Sequence, residues 1–182
     1  MPQPILRTPR LVLEPLADRH LELEVELDSD PEVMRFVGGA ATREETVGAH
    51  ARRLAHGQGV DGLGFWAAYA GDEFVGLVWA PPAHGPDQPD DPTVCDLGYR
   101  LLRASWGHGY ATEASRALLE HAFGTVGQSR VIAQARAENA ASRAVMERLG
   151  MRYVRIYDSD GHAEVEHEMT REMWSGVCPD PG

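Results

Sequence analysis

Near the middle of the chain a carboxylate precedes a glycine turn. Asp96 lies in VCDLGYR, which alternates in polarity, and Gly107 and Gly109 follow at the mouth of an amphipathic stretch. Glycine inside a helix costs about 1 kcal/mol against alanine, so two of them at a helix entrance imply a backbone task. One such task is anion binding. Open amides at a helix N-terminus carry the positive end of its dipole, and absent side chains let a phosphate approach. The other is a tight connection between packed elements, and the spacing leaves both open. The lysine-bearing phosphate loop is excluded, because the chain contains no lysine. GxGxxG fails as well, at Thr112.

A continuous strand through Asp96 would put Asp96, Gly98 and Arg100 on one face and Leu97 and Tyr99 on the other. A carboxylate on a central strand is unusual unless paired or employed, and Arg100 is its obvious structural partner. Asn139 stands where strand gives way to helix and suits an N-cap, with Ser142 three residues on. The histidines show no metal spacing: His162 and His167 do not form HExxH, and His20, His50 and His56 have no cysteine partners. No metal is expected. Nor does any Cys/His or Ser/His arrangement point to an acyl-enzyme.

These residues need elements to position them. Residues 10–16 read as an opening strand, after which Asp18 caps a helix running toward Asp30. Residues 31–36 read as a second helix with Pro31 at its first position. Residues 42–56 form a third, opened by a capping box from Thr42 to Glu45. Residues 65–70 and 74–80 make a hairpin around Gly71-Asp72. The 81–92 segment, with five prolines and three aspartates, reads as a mobile surface loop. Residues 94–102 form a strand leading into the turn and its helix, whose packed stripe is Ala111, Ala114, Leu118 and Ala122. Strand 130–137, helix 140–149, strand 152–157 and strand 163–170 complete the order, the last two joined at residues 158–161. Strands and helices mixed in this way, with hairpins at both ends, predict a sheet of mixed direction.

The 182 residues, 43% of them hydrophobic, suffice for one domain with its own core, spanning residues 1–182. No apolar run reaches membrane-spanning length, and no apolar segment follows a basic one at the N-terminus. Cys95 and Cys178 read as idle thiols in a reducing cytoplasm. The net charge of −11 argues against a nucleic-acid partner. It is uneven: residues 98–155 hold nine arginines and four acids, which suits an anionic ligand held centrally and a cationic one approaching from outside. Trp174 and the tail 178–182 are candidates for a homodimer contact.

TPRLVLEPL, DPEVMRFVGG, DLGYRL, WGHGYATEA, NAASRAVMERLGM and HEMTREMW, in this order, resemble the GNAT superfamily of N-acetyltransferases across nearly the whole chain. Within it they are similar to the branch that acetylates ribosomal-protein N-terminal alanines. The resemblance implies an α/β (α+β) GNAT fold: a mixed, mostly antiparallel sheet of six to seven strands, with four to five helices. That sheet would splay between the strand ending at Leu102 and the one beginning at Arg130.

The resemblance also implies acetyl-CoA as donor, its pyrophosphate on amides of Trp106, Gly107, His108, Gly109, Tyr110 and Ala111, with Arg103 adjacent. A bulge at Leu101 and Leu102 would bind pantetheine and supply an oxyanion donor. Asn139 and Ser142 would flank the pantetheine arm. Asp96 becomes the base that takes the amine's proton, with Glu164, Glu166 and Asp160 as alternatives. Ser142 becomes the acid for the departing thiolate, because Met146 stands where many relatives carry tyrosine. Ala104 departs from the family too, where Gln or Arg is common. The acceptor would be a cationic primary amine: a peptide N-terminus, a small metabolite or a drug. A non-catalytic CoA-binding module of the same fold is the alternative.

Overall fold

The computed structural model describes residues 2–57 and 61–177. Its architecture turns on one break. Residues 94–102 do not form a single strand, because at Leu97 the chain changes sheets. The Leu97 amide still donates to Ile132 O at 2.8 Å, but its neighbours serve different ladders. β5 (Val94–Asp96) pairs in parallel with β7 (Arg130–Arg136), whereas β6 (Gly98–Leu101) pairs antiparallel with β4 (Glu73–Trp79).

The GNAT fold is therefore present as two sheets. The first has the order β1-β2-β3-β4-β6 and adds β1 (Leu6–Arg7), β2 (Val12–Pro15) and β3 (Phe65–Ala70). The second has the order β5-β7-β9-β8 and adds β8 (Arg152–Ser159) and β9 (His162–Thr170). Every pairing among these strands is antiparallel except β5 with β7. The splay lies where expected. Among the described residues the strands number nine, because residues 94–102 divide and a two-residue β1 joins the edge.

α1 (Leu21–Ser29) and α2 (Arg43–Gly57) cover one face of the first sheet, where Leu16, Leu27, Ala67 and Leu77 are buried together. α3 (Tyr110–Glu120), extended by a π-turn over His121–Val126, covers the other. Ala114, Leu118 and Ala122 are about 1% exposed, so the alanine stripe does bring this helix close to the sheet. α4 (Ala140–Arg148) buries Val145 and Met146 in the same core, and α5 (Arg171–Val177) packs on β9. Trp174 is spent there, stacked on Phe123 at 5.9 Å, so it is not free for a dimer contact. Cys178 lies outside the described residues. No helix among the described residues is long and apolar enough to cross a membrane.

Three local readings need correction. Residues 31–38 are successive turns rather than a helix: Met34 O accepts from both Val37 and Gly39, and Gly38 and Gly39 both adopt positive φ. Asp18 does not cap α1. It opens a 3₁₀ turn, Asp18–His20, in which the His20 ring accepts the Ala17 amide at 3.0 Å. The 81–92 loop is tied down by side chains: His84 lies 3.8 Å from the His56 ring, and Asp87 O accepts from Arg155 at 2.6 Å. The Thr42–Glu45 capping box is present, with Glu45 accepting the Thr42 amide at 2.7 Å.

Beneath the first sheet lies a buried ion network. Glu24 and Asp28, both nearly inaccessible, pair with Arg53, and Asp28 also pairs with Arg100 at 3.2 Å. His50 adds a contact to Glu24. Arg100 thus points into the α1–α2 layer, where burial pulls its pKa down to about 10.

Candidate active site

The glycine turn connects β6 to α3. Gly107 and Gly109 adopt φ of +76° and +80°, in the left-handed region where a side chain is strained. Gly109 is the residue before the helix, whose first backward bond runs from Glu113 N to Gly109 O at 3.1 Å. The amides of Tyr110, Ala111 and Thr112 therefore precede the helical ladder and stand open at the positive end of α3. A Cβ at Gly107 would meet nothing within 4 Å, so the approach to the turn is clear. This is a cradle that fits a pyrophosphate. Trp106 does not contribute its amide, which donates to Arg103 O at 3.1 Å, while its ring donates to Leu101 O at 2.9 Å. His108 stacks on Tyr110 and is exposed, as is Arg103.

An unforeseen brace holds this turn. Arg10 donates to His108 O at 2.8 Å and reaches Glu113 at 2.5 Å, and Thr8 donates to the same carboxylate at 2.6 Å. The Arg10 guanidinium also lies 5.0 Å from the Tyr110 ring centroid. The chain entering β2 thereby fixes the first turn of α3, a contact across about a hundred residues that no local pattern announces.

The expected bulge at Leu101 and Leu102 is not where the strand breaks. Leu101 pairs regularly with Gly76, and the Leu102 amide donates to Val75 O at 3.0 Å. The irregularity falls at Leu97 because β5 is captured by β7 while β6 is captured by β4. The cleft thus opens one turn of chain earlier, next to Asp96.

Asp96 sits at the end of β5, where the two sheets part. It does not pair with Arg100, because the strand break turns Arg100 toward Asp28. Its neighbours come from elsewhere: the Gln88 side chain, the Trp79 indole N–H and His84 lie near enough to favour its ionised form. Burial is the leading influence and pushes its carboxyl above the usual range. Those three groups oppose that shift, while Glu166 reinforces it. Trp79, Gln88 and His84 were not anticipated. The signal for Trp79 was Gly98, a glycine inside a strand, which often marks a close approach. Here an added Cβ would collide with the Trp79 indole.

Glu166 and Glu164 are committed to ion pairs. Glu166 accepts from Gln134 at 2.7 Å and Arg155 at 3.0 Å, and Glu164 pairs with Arg136 at 3.0 Å. Asp160 is at the exposed hairpin tip with φ +52°. Beside them Tyr157 is half-buried. Burial, together with Glu164, Glu166 and Asp87, pushes its phenol up to about 12. The charges acting on Tyr157 are thus negative on balance, with Arg155 opposing them.

Asn139 caps α4, its side chain accepting the Ser142 amide at 3.1 Å. The Tyr99 hydroxyl, also unforeseen, donates to Ser142 O at 3.4 Å, linking β6 to α4 across the cleft. Met146 is buried in the core. Cys95 is buried too, and burial raises its thiol to about 12, which leaves it unreactive.

The acetyltransferase (GNAT) domain family matches residues 10–152. A curated relative, the FsC-acetyl coenzyme A-N(2)-transacetylase of Aspergillus fumigatus, is 36% identical over 94% of this chain and 78% of its own length. A crystal structure of an acetyltransferase from Agrobacterium tumefaciens superposes with a TM-score of 0.78 at 29% identity, over 93% of this chain and 95% of its own. RimL, described as a ribosomal L7/L12 alpha-N-protein acetyltransferase in complex with coenzyme A, superposes equally well, with a TM-score of 0.78 over 93% of this chain and 99% of its own. Its identity is only 16%, so the likeness shows the fold alone. The family match spans most of the chain. This chain belongs to the GNAT acetyltransferase family.

Proposed function

We propose that the protein moves the acetyl group of acetyl-CoA to the primary amine of a small, cationic molecule, by direct attack within a ternary complex. The observation that carries the reading is Asp96: a carboxylate of raised pKa at the parting of the sheets, on the segment that leads through β6 to the glycine turn. Acetyl-CoA supplies the activated thioester. The open amides of Tyr110, Ala111 and Thr112, behind the Gly107–Gly109 turn, would hold its pyrophosphate, and the backbone of Leu101 and Leu102, with Asn139 and Ser142 opposite, would line its arm. Attack forms the N–C bond and breaks the C–S bond. The amine's proton goes to Asp96, and the Ser142 hydroxyl would donate a hydrogen bond to the departing thiolate, which leaves as such or takes its proton from solvent. A carboxyl of raised pKa is a stronger base than an exposed one, which suits it to an ammonium donor.

A small acceptor is favoured over a ribosomal-protein terminus by the relative named for transfer to an N(2) nitrogen, at 36% identity. The carboxylates of Glu164, Glu166 and Asp87 around Tyr157 support a cationic one. The test is coenzyme A release with a panel of small primary amines and an alanine-led peptide, for the wild type and Asp96→Asn. Turnover of a small amine that falls in Asp96→Asn by about 10²–10⁴-fold, with acetyl-CoA binding intact, supports the reading. Acetylation of the peptide alone sinks the acceptor assignment, and undiminished turnover by Asp96→Asn sinks the base.

A further inference from the structure

β8 is an edge strand, the last in the order β5-β7-β9-β8. Edge strands of monomers are usually short, charged or covered, because open N–H and C=O groups invite pairing. This one runs eight residues, with residues 152–156 all exposed. Tyr153, Val154 and Ile156 are 53%, 40% and 59% exposed, three of the seven large apolar side chains so placed among the described residues. Its charges do not guard the edge. Arg152 is drawn to Glu168 and Arg155 to Glu166, both on β9, and Asp158 accepts the Gly161 amide in the hairpin turn.

The register singles out the occupant. Arg152 pairs with Glu168, Tyr153 with His167, Arg155 with Glu166 and Ile156 with Val165, so Val154 is the extra residue of a bulge. The bulge shifts the alternation. Tyr153 and Ile156 share the face of Val165 and His167, while Arg152, Arg155 and Tyr157 share the opposite one. A strand antiparallel to a copy of itself must match residues of the same face. About a two-fold axis between Val154 and Arg155, β8 does so: Tyr153 stands opposite Ile156, and Arg152 opposite Tyr157. Without the bulge, that register would set residues of opposite faces against each other.

We propose that two copies of this chain join through β8, antiparallel about that axis, into one eight-stranded sheet. On one face two Tyr153–Ile156 pairs form a shared apolar cluster. On the other, Arg152 of each copy lies over Tyr157 of its neighbour, a cation–π contact beside the Glu164–Glu166 cluster. Each copy thereby adds a positive charge at the rim of the other's candidate acceptor site.

Sedimentation equilibrium of the full chain, from low to high micromolar, tests this. The expected mass is twice the 20.0 kDa of one chain. Ile156→Lys, on an exposed side chain, should give the single-chain mass with an unchanged circular dichroism spectrum. Tyr153→Cys/Ile156→Cys in a Cys178→Ser background should cross-link on oxidation, since paired Cβ atoms lie about 4.5–5.5 Å apart, whereas either cysteine alone should not. A monomeric wild type, a dimer that survives Ile156→Lys, or equal cross-linking by the single cysteines would overturn the proposal.

Discussion

The Trp79 indole lies against the backbone of Gly98, its register partner across β4 and β6, and its N–H is near enough to Asp96 to hold down that carboxyl's pKa. A glycine on one strand thus makes room for the ring that orients a carboxylate on another. Gly98→Ala should displace the indole and cost about 1–3 kcal/mol of stability, with a loss of turnover beyond that of a surface substitution. Trp79→Phe keeps a ring and removes the donor. Because that donor lowers the Asp96 pKa, the ascending limb of the pH–rate profile should move to higher pH.

Asp96 itself predicts a trade of stability against activity. Its folded pKa is raised above the unfolded value, so its ionisation opposes folding. That cost is absent below the unfolded pKa and grows as pH rises toward the raised one. Asp96→Asn should therefore raise Tm at neutral pH while abolishing the carboxylate limb of kcat/KM. Calorimetry and a pH–rate profile of the same variant check both halves.

The glycine turn should show its role in donor binding. A side chain at either left-handed position costs about 1–2 kcal/mol, and Gly107→Glu also brings a negative charge to the cradle. Acetyl-CoA should raise the wild-type Tm in proportion to RT ln(1 + [L]/Kd), and Gly107→Glu should lose that shift. An equal shift in both proteins would remove the turn from the donor site.

Glu113 braces the turn from behind. Burial raises its carboxyl, but the hydrogen bonds from Thr8 and Arg10 outweigh it and hold the pKa below the ordinary value. Its contribution to stability is therefore present above the unfolded pKa and is lost as pH falls through the folded one. Glu113→Gln should cost roughly 1–2 kcal/mol at neutral pH and nothing in strong acid, as denaturant titrations at several pH values would show. KM for acetyl-CoA should rise along with it.

Removal of Asp28 leaves Arg53 and Arg100 facing each other in a buried layer. Asp28→Ala should destabilise by about 3–5 kcal/mol, read as a lower denaturant midpoint. Asp28→Ala/Arg100→Met should recover part of that loss, because the orphaned charge goes with its partner.

Much of this was legible in one dimension. The glycine pair, the alanine stripe of α3, the Thr42 capping box, the Asn139 cap and the two hairpins are written in residues a few positions apart, where local sterics and hydrogen bonds decide. The motif order also pointed to the family, and with it to a splayed sheet. Residues 31–36 misled because a proline and apolar spacing suit a helix, yet Gly38 and Gly39 close the segment with turns.

What the chain alone could not show were the choices between distant partners. Residues 94–102 read as one strand, since alternation says nothing of which neighbour each half will pair with. Competition between β4 and β7 for the two halves breaks it at Leu97. That break sends Arg100 to Asp28, leaves Asp96 to Trp79 and Gln88, and opens the cleft. Arg10 on Glu113 and Tyr99 on α4 are likewise meetings across long stretches of sequence. The sequence by itself determined the local elements, the open amides of the turn and the family. The tertiary structure decided which groups surround Asp96, because only packing brings burial, donors and neighbouring charge onto one carboxylate and so sets the strength of the base.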